Sequence, residues 1–312
     1  MKIRFGLNQK PFFSQGVATT IGNFDGVHLG HRHILRRLRE EAEKRGLPTV
    51  AVVFEPQPPE FFARKLGKAM PFRLSPLRDK LMLLEATGYL DAVWVLRFNQ
   101  GFADIPAHRF IDRLLRENLN TRYLLVGDDF RFGAGREGDF AMLQNQSGMI
   151  TERTPSVLIE SMRVSSTAVR QALAGGLLDC ARSLLGHDYT LSGHVKHGAK
   201  LGRTIGCPTA NIHLPDHHYA LSGVFVVEAE GMFGRKRGVA SFGTNPTVSN
   251  TNRQKLEVHL FDFNDDLYGN RLSVHFLHKL RDEEKFADMA SMVAQIQADM
   301  AAAKAWRLPM PV

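Results

Sequence analysis

Two hydrophobic spacings alternate through the first half of the chain. Short apolar runs rich in β-branched residues stand at 17–22 (VATTIG), 49–54 (TVAVVF), 90–98 (LDAVWVLRF), 122–127 (RYLLVG) and 156–160 (SVLIE). Between them lie segments of helical period: HLGHRHILRRLREEAEKRG, which puts Ile34, Leu35, Leu38 and Ala42 on one face, then PLRDKLMLLEATG and IPAHRFIDRLLRENL. Strands that alternate with helices predict an α/β domain with a doubly wound parallel sheet. After VRQALAGGLLDCARSLLG (169–186) the rhythm changes. Residues 188–280 carry many glycines, few helical patterns and the strand-like runs YTLSGHVKHG, GVFVVEAEG, KRGVASFG, KLEVHLFDF and RLSVHFLHKL. Such spacing predicts a small antiparallel barrel or sandwich. A final amphipathic helix is expected over roughly 283–304, with Phe286, Met289, Met292, Val293 and Ile296 on one side. The change of pattern places a domain boundary at Gly186, giving domains 1–186 and 187–312, with no internal repeat.

Composition narrows the class. The 312 residues are 44% hydrophobic and 23% charged, the balance of an ordinary globular protein. No apolar run approaches the roughly 20 residues that cross a bilayer, and MKIRFGLNQKPFF has no leader-like apolar core. Cys180 and Cys207 alone make no disulfide framework. These features lead us to expect a cytoplasmic protein without membrane attachment. A formal charge of +8 suits either nucleic acid or a small polyanion. The basic runs RRLREEAEKR and GRKRG are interleaved with acids or glycine, the usual look of a solvated face. Strands that interleave Lys or Arg with aromatics, as single-strand binders use for stacking, are also missing. Nucleic acid is therefore not the expected partner, and no obligate protein partner is evident.

In an open parallel sheet, ligands bind beyond the carboxyl ends of the strands, and the unusual residues follow that rule. The first strand runs into NFDGVHLGH, the second into EPQPPEFF and that at 122–127 into DDFRFGAGREGDF. His28 and His31 in HLGH admit three readings. They are surface histidines at a helix start, or two ligands of a zinc site that lacks its others nearby, or donors to a nucleotide's phosphates. The third reading also accounts for Gly30, which lets a flat base approach the backbone at a helix N-terminus. In the second half, GHVKHGAK mimics a phosphate-binding loop but lacks its Gly-Lys-Ser/Thr ending and its strand–helix setting.

GNFDGVHLGH resembles the signature of the HxGH nucleotidyltransferases, and in this extended form that of the bacterial bifunctional FAD synthetases. VGDDFRFG and RVSSTAVR follow in the family's order. The resemblance implies an FMN adenylyltransferase domain in which His28 and His31 stabilise charge on ATP. It implies an ATP site formed by Gly22, Asn23, Phe24, Asp25 and Gly30 together with Ser165, Ser166, Thr167 and Arg170. Phe62, Asp129 and Phe132 would lie by the flavin; Phe62 and Phe132 fit a stacked ring or local core equally, and Asp129 would hold a ribose or its own loop. The family often has histidine where this chain has Gln57, which removes a protonatable group there. HGAKLGRTIGCPTAN (197–211) and ASFGTNPTVSNTNRQKLEVHLFDFNDDLYG (240–269) are similar to the family's riboflavin kinase domain, a β-barrel. That likeness implies a flap with Gly198, Gly202 and Gly206, a Mg²⁺–ATP site at Thr209 and Asn211 with Thr209 toward the metal, and Glu257 as general base. Arg281 of LRDEEKF stands where the family has an arginine near the flavin. The expected substrates are ATP, riboflavin and FMN, with flavins as reactants rather than prosthetic groups.

Overall fold

In the computed structural model, which describes residues 1–7, 11, 13–155, 157–159, 162–198, 207–244 and 254–307, the apolar runs of the first half pair side by side. The strands are β1 (Lys2–Phe5), β2 (Val17–Ile21), β3 (Thr49–Glu55), β4 (Ala92–Arg97), β5 (Thr121–Gly127) and β6 (Ile150–Thr154). They form one parallel sheet in the order β1-β4-β3-β2-β5-β6. All five residues of β2 are buried, as the unbroken apolar run requires when both faces of a strand are covered. The helices include α1 (Leu29–Lys44), α2 (Pro58–Lys65), α3 (Leu77–Ala86), α4 (Gln100–Ala103), α5 (Ala107–Arg109) running into a π-helical turn over Phe110–Asn118, and α6 (Phe140–Gln144). On α1, Leu35, Leu38 and Ala42 are buried while Ile34 is only partly covered.

The sequence misplaced one strand and missed another. The sixth strand of the sheet is Ile150–Thr154; within 156–160, β7 (Leu158–Ile159) is a strand but pairs antiparallel with β8 (Met162–Arg163) in a separate two-stranded sheet. ITERT is an edge strand, paired only with β5. Its single apolar residue, Ile150, is exposed while Thr151 and Thr154 are buried, so it carries no apolar run to read. β1 is the other edge, mostly exposed, and its KIRF carries too few apolar residues to register.

By its contacts the chain forms two compact units, Met1–Pro71 with Lys80–Ser165, and Phe72–Asp79 with Ser166–Val312. The second unit contains α7 (Ser166–Ala174), α8 (Leu178–Leu185) and six strands: β9 (Tyr189–Lys196), β10 (Ala210–His213), β11 (Gly223–Gly231), β12 (Gly234–Gly243), β13 (Lys255–Leu260) and β14 (Arg271–Arg281). These close into an antiparallel barrel in the order β10-β13-β12-β11-β14-β9. Between barrel and sandwich, closure decides for the barrel, and it depends on β10, a four-residue strand too short to read from sequence. Leu256, Val258, Ala240, Phe242, Phe225 and Phe276 are buried in it.

The terminal helix α9 (Met289–Ala305) begins six residues later than expected. Its buried residues are Asp299 and Ala303, whereas Met289 is 59% exposed. Ala303, with Met300 and Trp306, packs on Val224, Val226 and Val239 of the barrel wall. Asp79 anchors the 72–79 segment within the same unit, accepting hydrogen bonds from Ser192 N at 2.9 Å and Ser192 Oγ at 2.5 Å.

Candidate active sites

In the first unit the sheet order makes β3, β2 and β5 neighbours, so the three unusual loops leave one rim side by side. Strand order reverses between β2 and β5, the point at which α/β sheets open a crevice. The loop after β2 is strained. Phe24 and Val27 hold φ of 47° and 43°, a left-handed conformation that is uncommon for bulky residues, with Gly26 at 78° between them. Phe24, Asp25 and His28 are nevertheless buried, at 2%, 1% and 5% exposure. Gly22 and Asn23 are partly covered at the start of this loop.

His28 is the N-cap of α1, and its Nδ1 accepts a hydrogen bond from the His31 backbone N–H at 3.3 Å. An accepting Nδ1 carries no proton, so the neutral ring holds it on Nε2, a donor. The His28 and His31 rings stack with centroids 3.6 Å apart and planes 15° from parallel, and Phe24 lies 5.0 Å from His31. Gly30 is needed by this stack. A β-carbon there would stand 3.1 Å from His28 Cε1 and 3.3 Å from the Val164 carbonyl oxygen. The two histidines therefore act as one unit at a helix N-terminus, where backbone N–H groups favour anions.

Gln57 caps α2; its backbone N–H donates to Glu60 Oε2 at 2.9 Å. It is 4% exposed, and its Nε2 has no partner among the described residues. Beyond it the aromatics divide. Phe62 is 42% exposed, edge-on to Phe61 and Phe98. Phe132 is buried at 5%, stacked on Phe130 and tilted against Phe110, and belongs to the core cluster. The Asp129 side chain is 81% exposed, within 3.8 Å of Arg163. Ser165 ends the first unit, while Ser166, Thr167 and Arg170 open α7 in the second. Arg170 Nε donates to the Phe72 carbonyl at 2.6 Å.

On the barrel, side chains alternate in and out along each strand. Leu256 and Val258 are buried, so Glu257 between them points outward. Register places Glu257 opposite Asn211 on one side and Ser241 on the other, forming a row across β10, β13 and β12. Directly opposed residues have β-carbons roughly 4.5–5.5 Å apart. A β-carbon on Gly198 would fall 2.3 Å from Asn211 Nδ2, so the chain after β9 comes directly against this row. Thr209 stands just before β10; Gly202 and Gly206 lie outside the described residues. Arg281 is bound by Asp299, with Nη2–Oδ2 at 2.8 Å, and lies 3.2 Å from Glu284. Those partners raise its already high pKa, with the Asp299 hydrogen bond the leading cause.

Among the described residues no group of three or more His, Cys, Asp or Glu side chains is placed to hold a metal ion. Thr209, Asn211 and Glu257 offer only hard oxygen donors, with one carboxylate among them. That set fits Mg²⁺, which favours oxygen and is commonly held jointly by a carboxylate and substrate phosphates. No helix among the described residues is long and apolar enough to cross a membrane.

The sequence pointed to neither Ser241 nor Glu283. Ser241 Oγ donates to Glu283 Oε1 at 3.3 Å, which joins a second carboxylate to the Glu257 row. Both lie inside quoted motifs, ASFG and LRDEEKF, but residue order does not show that strand register puts Ser241 beside Glu257 or that Glu283 meets Ser241.

Comparison with known proteins agrees with both halves of this description. The FAD synthetase family matches residues 11–168 and the riboflavin kinase family residues 185–307. A bifunctional riboflavin kinase/FMN adenylyltransferase of Haemophilus influenzae is 45% identical over 98% of this chain and 99% of its own length. Its namesake in Escherichia coli is 49% identical over 94% of this chain and 93% of its own. A crystal structure described as a macrolide-efflux protein from Streptococcus pneumoniae covers 98% of this chain and 100% of its own, with a TM-score of 0.82 and 30% identity. Two catalytic-domain families in order along one chain, with relatives aligned nearly end to end, place this chain in the bifunctional riboflavin kinase/FMN adenylyltransferase family.

Proposed function

We propose that the chain makes FAD in two steps, with Glu257 serving the first and the His28–His31 pair the second. In the kinase step the 5′-hydroxyl of riboflavin attacks the γ-phosphorus of ATP. The new O–P bond forms as the bond to the β–γ bridging oxygen breaks, giving FMN and ADP. Glu257, on a rigid strand, accepts the hydroxyl proton. Thr209 and Asn211 are the residues that would hold Mg²⁺ with ATP, and Gly198 lies directly against Asn211. Bound Mg²⁺ supplies charge neutralisation on the phosphates.

In the adenylyl step the phosphate of FMN attacks the α-phosphorus of a second ATP, and pyrophosphate leaves. The nucleophile is already ionised, so no base is required. Positioning and charge stabilisation carry the reaction. His28 is fixed by its cap hydrogen bond and presents Nε2–H; His31, stacked on it, supplies the second imidazole. Gly22, Asn23, Phe24 and Asp25 shape the nucleotide loop of the first unit, which ends at Ser165. Phe62 offers an open ring to the flavin, Phe132 backs the neighbouring loop from within the core, and Asp129 is available to a ribose. Arg281 holds the segment after β14 on the flavin side of the barrel. The functional division falls at Gly186, and the enzyme works in the cytoplasm on ATP, riboflavin and FMN without nucleic acid, membrane or an obligate protein partner.

One observation carries this reading: the HLGH pair at a helix start and the outward-facing Glu257 row occur in separate units, each matched by its own family. Incubation with riboflavin and Mg²⁺–ATP, followed by chromatography of the flavins, should show FMN and then FAD. Formation of neither product would overturn it.

A further inference from the structure

We propose that Ser241 and Glu283 recognise the sugar-alcohol chain of riboflavin beside Glu257, with Glu283 acting as a positioning residue through Ser241. The proposal rests on Glu257 being the kinase base. Ser241 is an exposed residue of β12 standing opposite Glu257 in register, so its hydroxyl lies beside the carboxylate that takes the 5′-hydroxyl proton. Its own proton is committed. Ser241 Oγ donates to Glu283 Oε1 at 3.3 Å, and an ionised carboxylate can only accept. The oxygen lone pairs of Ser241 are thereby left to accept, which suits a substrate hydroxyl and not a phosphate. Anionic phosphate would be repelled by two carboxylates, whereas a polyol is not.

Glu283 is exposed, and two neighbours set where its carboxylate lies. Its carboxylate occupies the space that a β-carbon on Gly243 would fill, so Gly243 is the cradle and no larger residue fits without displacing the acid. Partial desolvation raises the Glu283 carboxyl above its ordinary range, against the opposing effects of Ser241 and Arg281. Two residues earlier, Arg281 is fastened to Asp299 of α9, which fixes where the 281–284 segment leaves β14. An exposed acid that rests over a glycine and accepts from a serine of the Glu257 row is an arrangement for orienting a hydroxyl group.

The test separates chain recognition from ring recognition and from the base. Steady-state riboflavin phosphorylation by the full-length protein is measured for Ser241→Ala, Ser241→Thr and Glu283→Gln, with lumiflavin, which has the ring but no ribityl chain, as a competitive inhibitor. Losing one hydrogen bond should raise KM for riboflavin about tenfold in Ser241→Ala. A smaller rise is expected in Glu283→Gln, with kcat, KM for ATP and the lumiflavin inhibition constant little changed. Ser241→Thr, which keeps the hydroxyl, should restore KM. Unchanged riboflavin KM in Ser241→Ala would overturn the proposal, as would a lumiflavin constant that shifts in parallel, since the ring pocket would then be affected. Glu257→Gln, assayed alongside, tests the underlying reading separately: if it still turns over at the normal rate, Glu257 is not the base, whatever Ser241 does.

Discussion

At the scale of single residues, the two imidazoles of HLGH differ in what holds them. His28 is buried and fixed by a backbone donor, whereas His31 is only partly buried and is held by stacking. His31→Ala keeps the backbone N–H that donates to the His28 cap of α1 and removes only the ring. It should cut FAD formation from FMN by about 100- to 1,000-fold, the usual cost of one preorganised donor, while riboflavin phosphorylation and thermal stability stay near normal. Measured FAD formation within a few-fold of the parent would remove His31 from the reaction. Gly30→Ala should act through the same pair. Its new methyl group would meet the His28 ring and the Val164 carbonyl, so adenylylation should fall more than the melting temperature does; calorimetry and the FMN assay together would show this. Glu257→Gln keeps size and loses basicity. It should lose riboflavin phosphorylation and still convert added FMN to FAD. The HLGH and Glu257 positions were legible in the sequence because they sit in ordered motifs. The capping role of His28 was not, since a hydrogen bond to a neighbouring N–H has no signature in residue order.

At the scale of elements, α9 is tied to the barrel by a partly buried ion pair and a small apolar contact. Asp299 is 6% exposed and meets Arg281 at 2.8 to 3.1 Å. Removing one partner of such a pair leaves the other charge uncompensated and costs about 3–5 kcal/mol. Asp299→Ala should therefore lower barrel stability by roughly that amount in denaturant titrations. Because the 281–284 segment is then released, it should also raise KM for riboflavin without touching FMN adenylylation. Equal damage to both activities would show that the helix does more than anchor that segment. The sequence placed the apolar face of this helix on Met289, Met292, Val293 and Ile296. Met292, Val293 and Ile296 are partly covered and share a helical face with the buried Asp299 and Ala303. The expected face therefore does turn inward, continued toward the C-terminus by the ion pair, and Met289 alone of the four is exposed. Within the run expected as a strand at 156–160, Leu158–Ile159 is a strand, but it pairs with Met162–Arg163 and does not join the parallel sheet. An apolar run looks like a strand wherever it occurs, while the edge strand β6 has one apolar residue, Ile150, and that one is exposed.

At the scale of the whole chain, the two activities should be separable. Mixed in one tube with riboflavin and Mg²⁺–ATP, the Glu257→Gln and His31→Ala proteins should together make FAD. FMN released by the second would be used by the first, and persistent accumulation of FMN would exclude exchange between molecules. Truncation makes a finer point. The 187–312 fragment omits Asp79, whose carboxylate satisfies Ser192, and also omits α7 and α8 of the same unit. It should phosphorylate riboflavin but melt below a fragment that begins at Ser166, and identical melting curves would assign α7 and α8 no stabilising part.

The sequence by itself determined the alternation of strands and helices, the change to a glycine-rich strand pattern and the order of the motifs. Hydrophobic period and turn residues are local properties and survive being read one residue at a time. Only the tertiary structure decided which residues meet. Barrel closure through the short β10, the insertion of 72–79 into the second unit and the Asn211–Glu257–Ser241 row all depend on pairings between distant segments. Strand register sets such pairings, and it follows from the fit of whole faces rather than from any single stretch of chain.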